Sequence, residues 1–174
     1  MIKVIVIVVV LLAGVLIFAA TKPDTFRVQR AIRIKAAPEK IYPFLNDLHN
    51  FGAWSPYEKK DPAMKRTFSG PASGKGAVYE WDGDKNVGKG RMEITDTAPP
   101  SNVKIKLDFV KPFEARNTVV FTLEPKGDYT DMTWAMQGPV PYVAKIMHVF
   151  LDMDSMVGKD FEAGLANLKT VAEK

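Results

Sequence analysis

Cysteine is absent from the 174 residues, which rules out disulfides and thiolate metal sites together. Histidine is scarce: only His49 and His148 occur, far apart in the chain, with surface or capping roles expected for both. No cluster of His, Cys and carboxylates has the spacing of a metal centre, so neither metal nor cofactor is expected. Asp152, Asp154 and Asp160 stand near the start of a helix, where carboxylates are favourable without any cation. Ser55 and Ser155 have no nearby histidine and no nucleophile motif, so no catalytic residue is assigned. Gly70 to Gly76, GPASGKG, lacks the Lys-Ser/Thr pair and following helix of a phosphate loop and reads as a turn. Charge of one sign is also thin. The 24 basic and 20 acidic residues leave +4, spread along the chain. That is a poor footprint for nucleic acid, though favourable towards an anionic membrane. No repeats are visible.

What the sequence does have is one long apolar run. Val4 to Ala20 carries no charge and spans about 25 Å as a helix, at the short end of what crosses a bilayer. Cleavage after Ala19 or Ala20 would set Ile17 or Phe18 where a signal peptidase needs a small residue, so a retained anchor is expected. Residues 1–21 are assigned to this transmembrane anchor, 22–25 to a linker and 26–174 to one folded domain. Lys3 and the terminal amine favour a cytoplasmic N-terminus, with the domain on the outer, periplasmic side of the inner membrane. Lys22, Arg27, Arg30, Arg33 and Lys35 pull the other way.

Phe26, Val28, Ile32 and Ile34 alternate with polar residues and predict a half-buried strand, with Arg30 breaking the pattern on its apolar side. Pro38 opens a short helix with an apolar face of Ile41, Phe44, Leu45 and Leu48, kinked at Pro43. Asn50 to Pro62 reads as a turn-rich connection carrying Phe51, Trp54 and Tyr57. About six strands follow between residues 63 and 138. Tyr79 and Trp81 share one face, as do Val103, Ile105, Leu107 and Phe109, then Ala115, Asn117, Val119, Phe121 and Leu123. Such alternation gives one wet and one covered face, as in an antiparallel sheet with helices on one side. Pro139 and Pro141 end the run, and Tyr142 to Leu151 predicts a short apolar helix.

The last helix, Ser155 to Ala172, places Val157, Phe161, Leu165, Leu168 and Ala172 on one side. Asp152, Asp154 and Ser155 are its candidate caps. Gly158 and Gly164 each cost about 1 kcal/mol there relative to alanine. Either something approaches the helix closely at these points or space is left beside it. The expected fold is therefore α+β, a curved antiparallel sheet of about seven strands wrapped around this helix, with a hollow between them.

The order of elements and the residues at its joints resemble the helix-grip or START-like superfamily, also called SRPBCC, and within it the bacterial polyketide cyclase/dehydrase-type group. The resemblance runs from about Phe26 to Glu173. It rests on Ala37-Pro38-Glu39-Lys40-Ile41-Tyr42, Asn46-Asp47, Trp54-Ser55-Pro56, Gly74-Lys75-Gly76-Ala77-Val78-Tyr79-Glu80-Trp81 and Gly88-Lys89-Gly90. It continues through Lys111-Pro112-Phe113, Thr130-Asp131-Met132-Thr133-Trp134, Gly158-Lys159-Asp160-Phe161-Glu162 and Gly164-Leu165. The resemblance implies a deep hydrophobic cavity between sheet and C-terminal helix. Members bind lipids, sterols or quinones, or cyclise polyketides, and no catalytic motif is common to all, so the fold does not settle the task.

The expected function is membrane-anchored binding of a hydrophobic small molecule (a lipid, isoprenoid or polyketide-like compound), as carrier or sensor. The candidate ligand-binding residues are Tyr79, Trp81, Met92, Phe109, Asn117, Phe121, Trp134 and Met136 from the sheet, Phe161 and Leu165 from the helix, and Arg30. Arg30 and Asn117 would orient a polar head or pair with each other, with Glu80 or with backbone, internal pairing being the commoner fate of buried polar groups. One alternative is a cyclase- or dehydratase-type enzyme, using Tyr79, or Glu80 and Asp108 if these turn inward. The other is a module that docks a membrane protein through the sheet or the Phe51-to-Tyr57 segment. A protein partner is not identifiable, and nucleic acid is not expected.

Overall fold

The computed structural model describes residues 1–150 and 152–174. Leu151, the expected end of the short apolar helix, lies outside the described residues, and so does the His148 side chain.

Seven strands form one antiparallel sheet in the order β1-β7-β6-β5-β4-β3-β2. They are β1 (Thr25–Ile34), β2 (Lys65–Ser69), β3 (Val78–Asp82), β4 (Lys89–Ala98), β5 (Asn102–Lys111), β6 (Ala115–Lys126) and β7 (Tyr129–Pro139). The alternation that predicted the strands sets which face is covered. Val103, Ile105 and Leu107 of β5 are buried while Lys104 and Lys106 between them are exposed. Register shifts between β4 and β5, at Lys89/Gly90 and Ile94/Asp96, bend the sheet as bulges do.

Helix α1 (Ile2–Ala20) precedes the sheet, and of its residues only Ala19 is buried. After β1 the chain makes α2 (Pro38–Ile41) and α3 (Pro43–Asn46), broken where Pro43 was expected to interrupt the helix. A 3-10 helix (Leu48–Ala53) and α4 (Pro56–Lys60) follow. The Asn50-to-Pro62 segment is thus more ordered than a turn-rich connection. Its Trp54 is fully buried and donates to the carbonyl of Phe44 at 2.9 Å, and Phe51 is 5% exposed, so these two are core rather than a docking patch. His49 is at the surface, one of the two roles expected of it, and Asp47 is the residue that caps the 3-10 helix. The His49 backbone N–H donates to Asp47, and the His49 ring stacks on Phe68 at 4.1 Å.

Helix α5 (Tyr142–Phe150) leads to α6 (Met153–Ala172). The Asp152 carboxylate caps α6 by accepting from the N–H groups of Asp154 and Ser155 at 3.1 and 3.3 Å. Phe161, Leu165, Leu168 and Ala172 are buried against the sheet at the predicted spacing. This is the helix grip.

Candidate functional site

The two glycines of α6 fix how it lies on the sheet. A Cβ at Gly164 would stand 2.7 Å from the Trp134 ring and 3.0 Å from Pro56, so the missing side chain lets that ring press against the helix backbone. Trp134 stacks on Phe161 at 3.9 Å and meets Trp54 edge-on at 5.4 Å. Along this half of α6 the contact is closed. At Gly158 a Cβ would overlap the Arg30 guanidinium, which crosses the helix there. Close approach, and not spare room, accounts for both glycines.

A cavity opens beyond this closed zone. It measures about 430 Å³, within the roughly 300–1,000 Å³ typical of small-molecule pockets. Tyr79, Trp81, Met92, Phe109, Asn117, Phe121, Trp134, Met136 and Phe161 all line it. Two candidates do not. Leu165 lies one turn past Phe161, packed in the closed core at 1% exposure. Arg30 is on the expected face but outside the lining. Its Nε donates to Glu162 at 2.7 Å, Nη1 and Nη2 bind the Asp154 carboxylate at 3.0 and 2.9 Å, and further bonds reach the carbonyls of Gln29 and Asp154. These carboxylates push the guanidinium pKa up, and Arg30 in turn holds the Asp154 carboxyl below the usual range. Arg30 clamps α6 to β1. Neither Asn117 nor Glu80 is its partner.

Asn117 has a different standing. It is 7% exposed, lines the cavity, and its Oδ1 is buried with no hydrogen-bond partner among the described residues. Trp134 Nε1 is likewise buried and unpartnered. Unsatisfied groups of this kind are unusual enough to require a reason.

The sequence reading missed several wall residues, chief among them Glu58. It sits on the short α4, and nothing in Asn50 to Pro62 signalled a helix turned towards the hollow. Tyr79 Oη donates to Glu58 Oε1 at 2.5 Å, and Arg66 Nε donates to Glu58 Oε2 at 2.7 Å. Burial, with the neighbouring Glu58 carboxylate, pushes the Tyr79 phenol pKa well up. A tyrosine and a carboxylate are thereby linked on the wall, with Arg66 paired to the carboxylate from outside the lining. Glu80 is exposed, as its place in the alternation required. Phe113 and Met147 were also missed; both line the cavity yet are 66% and 40% exposed. Residues that face both the interior and the outside mark the mouth.

A single helix seated in a seven-stranded antiparallel sheet, with an apolar chamber between them, defines the helix-grip, SRPBCC class. Residues 25–173 match the family model described as "Polyketide cyclase / dehydrase and lipid transport", and the chain belongs to that family. Among solved structures it is similar to protein CV1439 from Chromobacterium violaceum, at 16% identity, covering 88% of this chain and 99% of that one, with a TM-score of 0.60. Ginseng major latex-like protein 151 from Panax ginseng is similar at 10% identity, covering 87% and 100%, with a TM-score of 0.61. The di-domain ARO/CYC protein BexL of the BE-7585A biosynthetic pathway is similar at 15% identity, covering 91% of this chain and 53% of that one, with a TM-score of 0.60. These identities speak to the fold alone. No curated protein matches the chain.

Proposed function

We propose that the protein binds a hydrophobic small molecule (a lipid, isoprenoid or polyketide-like compound) in the chamber between sheet and α6, as a membrane-anchored carrier or sensor. The observation that carries this reading is the cavity itself, about 430 Å³ and walled mainly by aromatic, aliphatic and methionine side chains. Methionines such as Met92 and Met136 adapt to varied apolar shapes. In this reading α1 is a retained anchor, and the domain stands on the outer side of the inner membrane. Native mass spectrometry of the full chain, released from detergent, tests it. An added mass of one apolar molecule per chain is expected. A chain that is empty, and remains empty after exposure to mixed membrane lipids, would contradict it.

One observation favours a second reading, an enzyme of cyclase or dehydratase type. Tyr79 and Glu58 place a protonated phenol and a carboxylate together on the wall, groups able to donate and accept a proton. Incubation of polyketide-like compounds with the protein, followed by their recovery unaltered, would count against it.

A further inference from the structure

The apolar helix α1 is not an independent tether. Tyr142 Oη of α5 donates to the carbonyl of Leu16 at 2.8 Å, the Lys145 ammonium pairs with Asp24, and the Val140 N–H donates to the Asp24 carbonyl at 2.8 Å. Lys145 is 7% exposed, and Ala19 is fully buried. The end of α1 is thus joined to α5 and to the chain entering it. Ala144 and Met147 of that same α5 line the cavity, with Pro112 and Phe113 of the β5–β6 turn and Pro139 to Pro141. The side chains around this mouth are mostly apolar and outward: Phe113 at 66% exposure, with Tyr142, Val143, Met147, Phe150 and Met156 all exposed, and Glu114 the exposed charge among the lining residues there.

Depth follows from helix geometry. Leu16 lies four residues before the end of α1, about 6 Å below it at 1.5 Å per residue. If α1 spans a bilayer, Tyr142 and the start of α5 stand at the level of its last turn, the interfacial layer where tyrosine rings are favoured. A carrier whose mouth faced water would expose this apolar rim at a continuing cost. Resting on the reading of α1 as an anchor and of the cavity as a binding chamber, we infer that α5 and the β5–β6 turn lie in the bilayer interface. The mouth then opens to the lipid, and an apolar guest passes between membrane and chamber without crossing water. The partner this surface fits is the lipid surface at the outer end of α1.

The chain has no cysteine, so a single introduced one is a unique labelling site. Full-length Val10→Cys, Phe113→Cys, Met147→Cys and Asp128→Cys, each carrying an environment-sensitive fluorophore, are placed in vesicles of phosphatidylethanolamine and phosphatidylglycerol. Lipids with brominated acyl chains serve as quenchers. Position 10 reports the middle of α1. Position 128 is the β6–β7 turn, at the far end of β6 and about 35 Å from the mouth at strand rise. Positions 113, 128 and 147 are all exposed, which leaves the fold intact on labelling. Quenching at 10, 113 and 147 but not at 128 is the expected result. Quenching at 10 with 113 and 147 as unquenched as 128 overturns the lipid-facing mouth and leaves the anchor standing. No quenching at 10 overturns the anchor, and the inference with it.

Discussion

Asn117→Leu separates stability from function. The Asn117 amide oxygen is buried on β6 with no partner, between the apolar positions Ala115 and Val119. Burying a polar group unsatisfied costs roughly 1–3 kcal/mol, and an apolar residue of similar shape removes that cost. The oxygen lies close against Gly138 of β7, where a leucine methyl fits tightly, so the lower end applies and a gain of about 1 kcal/mol is expected. For a chain of this size that raises Tm by roughly 2–4 °C. Thermal unfolding of the full chain in mild detergent, followed by circular dichroism, measures the gain. Native mass spectrometry of the same samples measures guest occupancy. Higher Tm with unchanged occupancy is the predicted pair, because the unpartnered oxygen faces Gly138 and not the guest. A lower Tm would show that the amide has a partner inside the protein and would refute the reasoning.

The helix glycines give a second contrast. Gly164→Ala gains about 1 kcal/mol of helix propensity but forces the stacked Trp134 ring aside, an overpacking cost of about 1–3 kcal/mol, so Tm should fall. Gly158→Ala displaces the Arg30 guanidinium that holds Asp154 and Glu162, so Tm should fall there too, but with loss of the ion pairs and not of ring packing; a Tm unchanged by Gly164→Ala would deny the closed contact at Trp134. Stability should also weaken in acid. Arg30 depresses the Asp154 pKa in the fold, so that contribution is complete above the ordinary aspartate range and is lost as pH falls through the folded value. Asp154→Asn should flatten the acid limb of a Tm-against-pH curve, and an unchanged limb would remove the clamp from the account. Tyr79→Phe should leave apolar guest occupancy intact, since the ring still lines the cavity, while abolishing any turnover that draws a proton from the phenol.

The strands and α6 were legible because one covered face imposes a period that any local window displays: Val103 to Phe109 and Phe161 to Ala172 needed no partner to be recognised. The wall of the cavity followed from the same alternation. It failed where direction depends on tertiary contact. Arg30 lies on the inward face at Val28's side of β1, yet periodicity cannot say that Asp154 and Glu162 wait across α6. Leu165 has the same helical phase as Phe161, and only position along the axis separates core from cavity. Glu58 was hidden in a segment rich in turn formers. The mouth was hidden for a different reason: Phe113 and Met147 belong to strand ends and a short helix, where facing inward and facing outward are no longer alternatives.

Xenon enters apolar cavities and leaves packed interiors untouched, so a crystal of the full chain under xenon pressure measures the gap between α6 and the sheet directly. A peak among Met92, Phe109, Met136 and Val157, or density for a retained apolar guest in the same place, is the result predicted from a void of about 430 Å³. Side chains of helix and sheet meeting across that space, with no xenon between them, would contradict it.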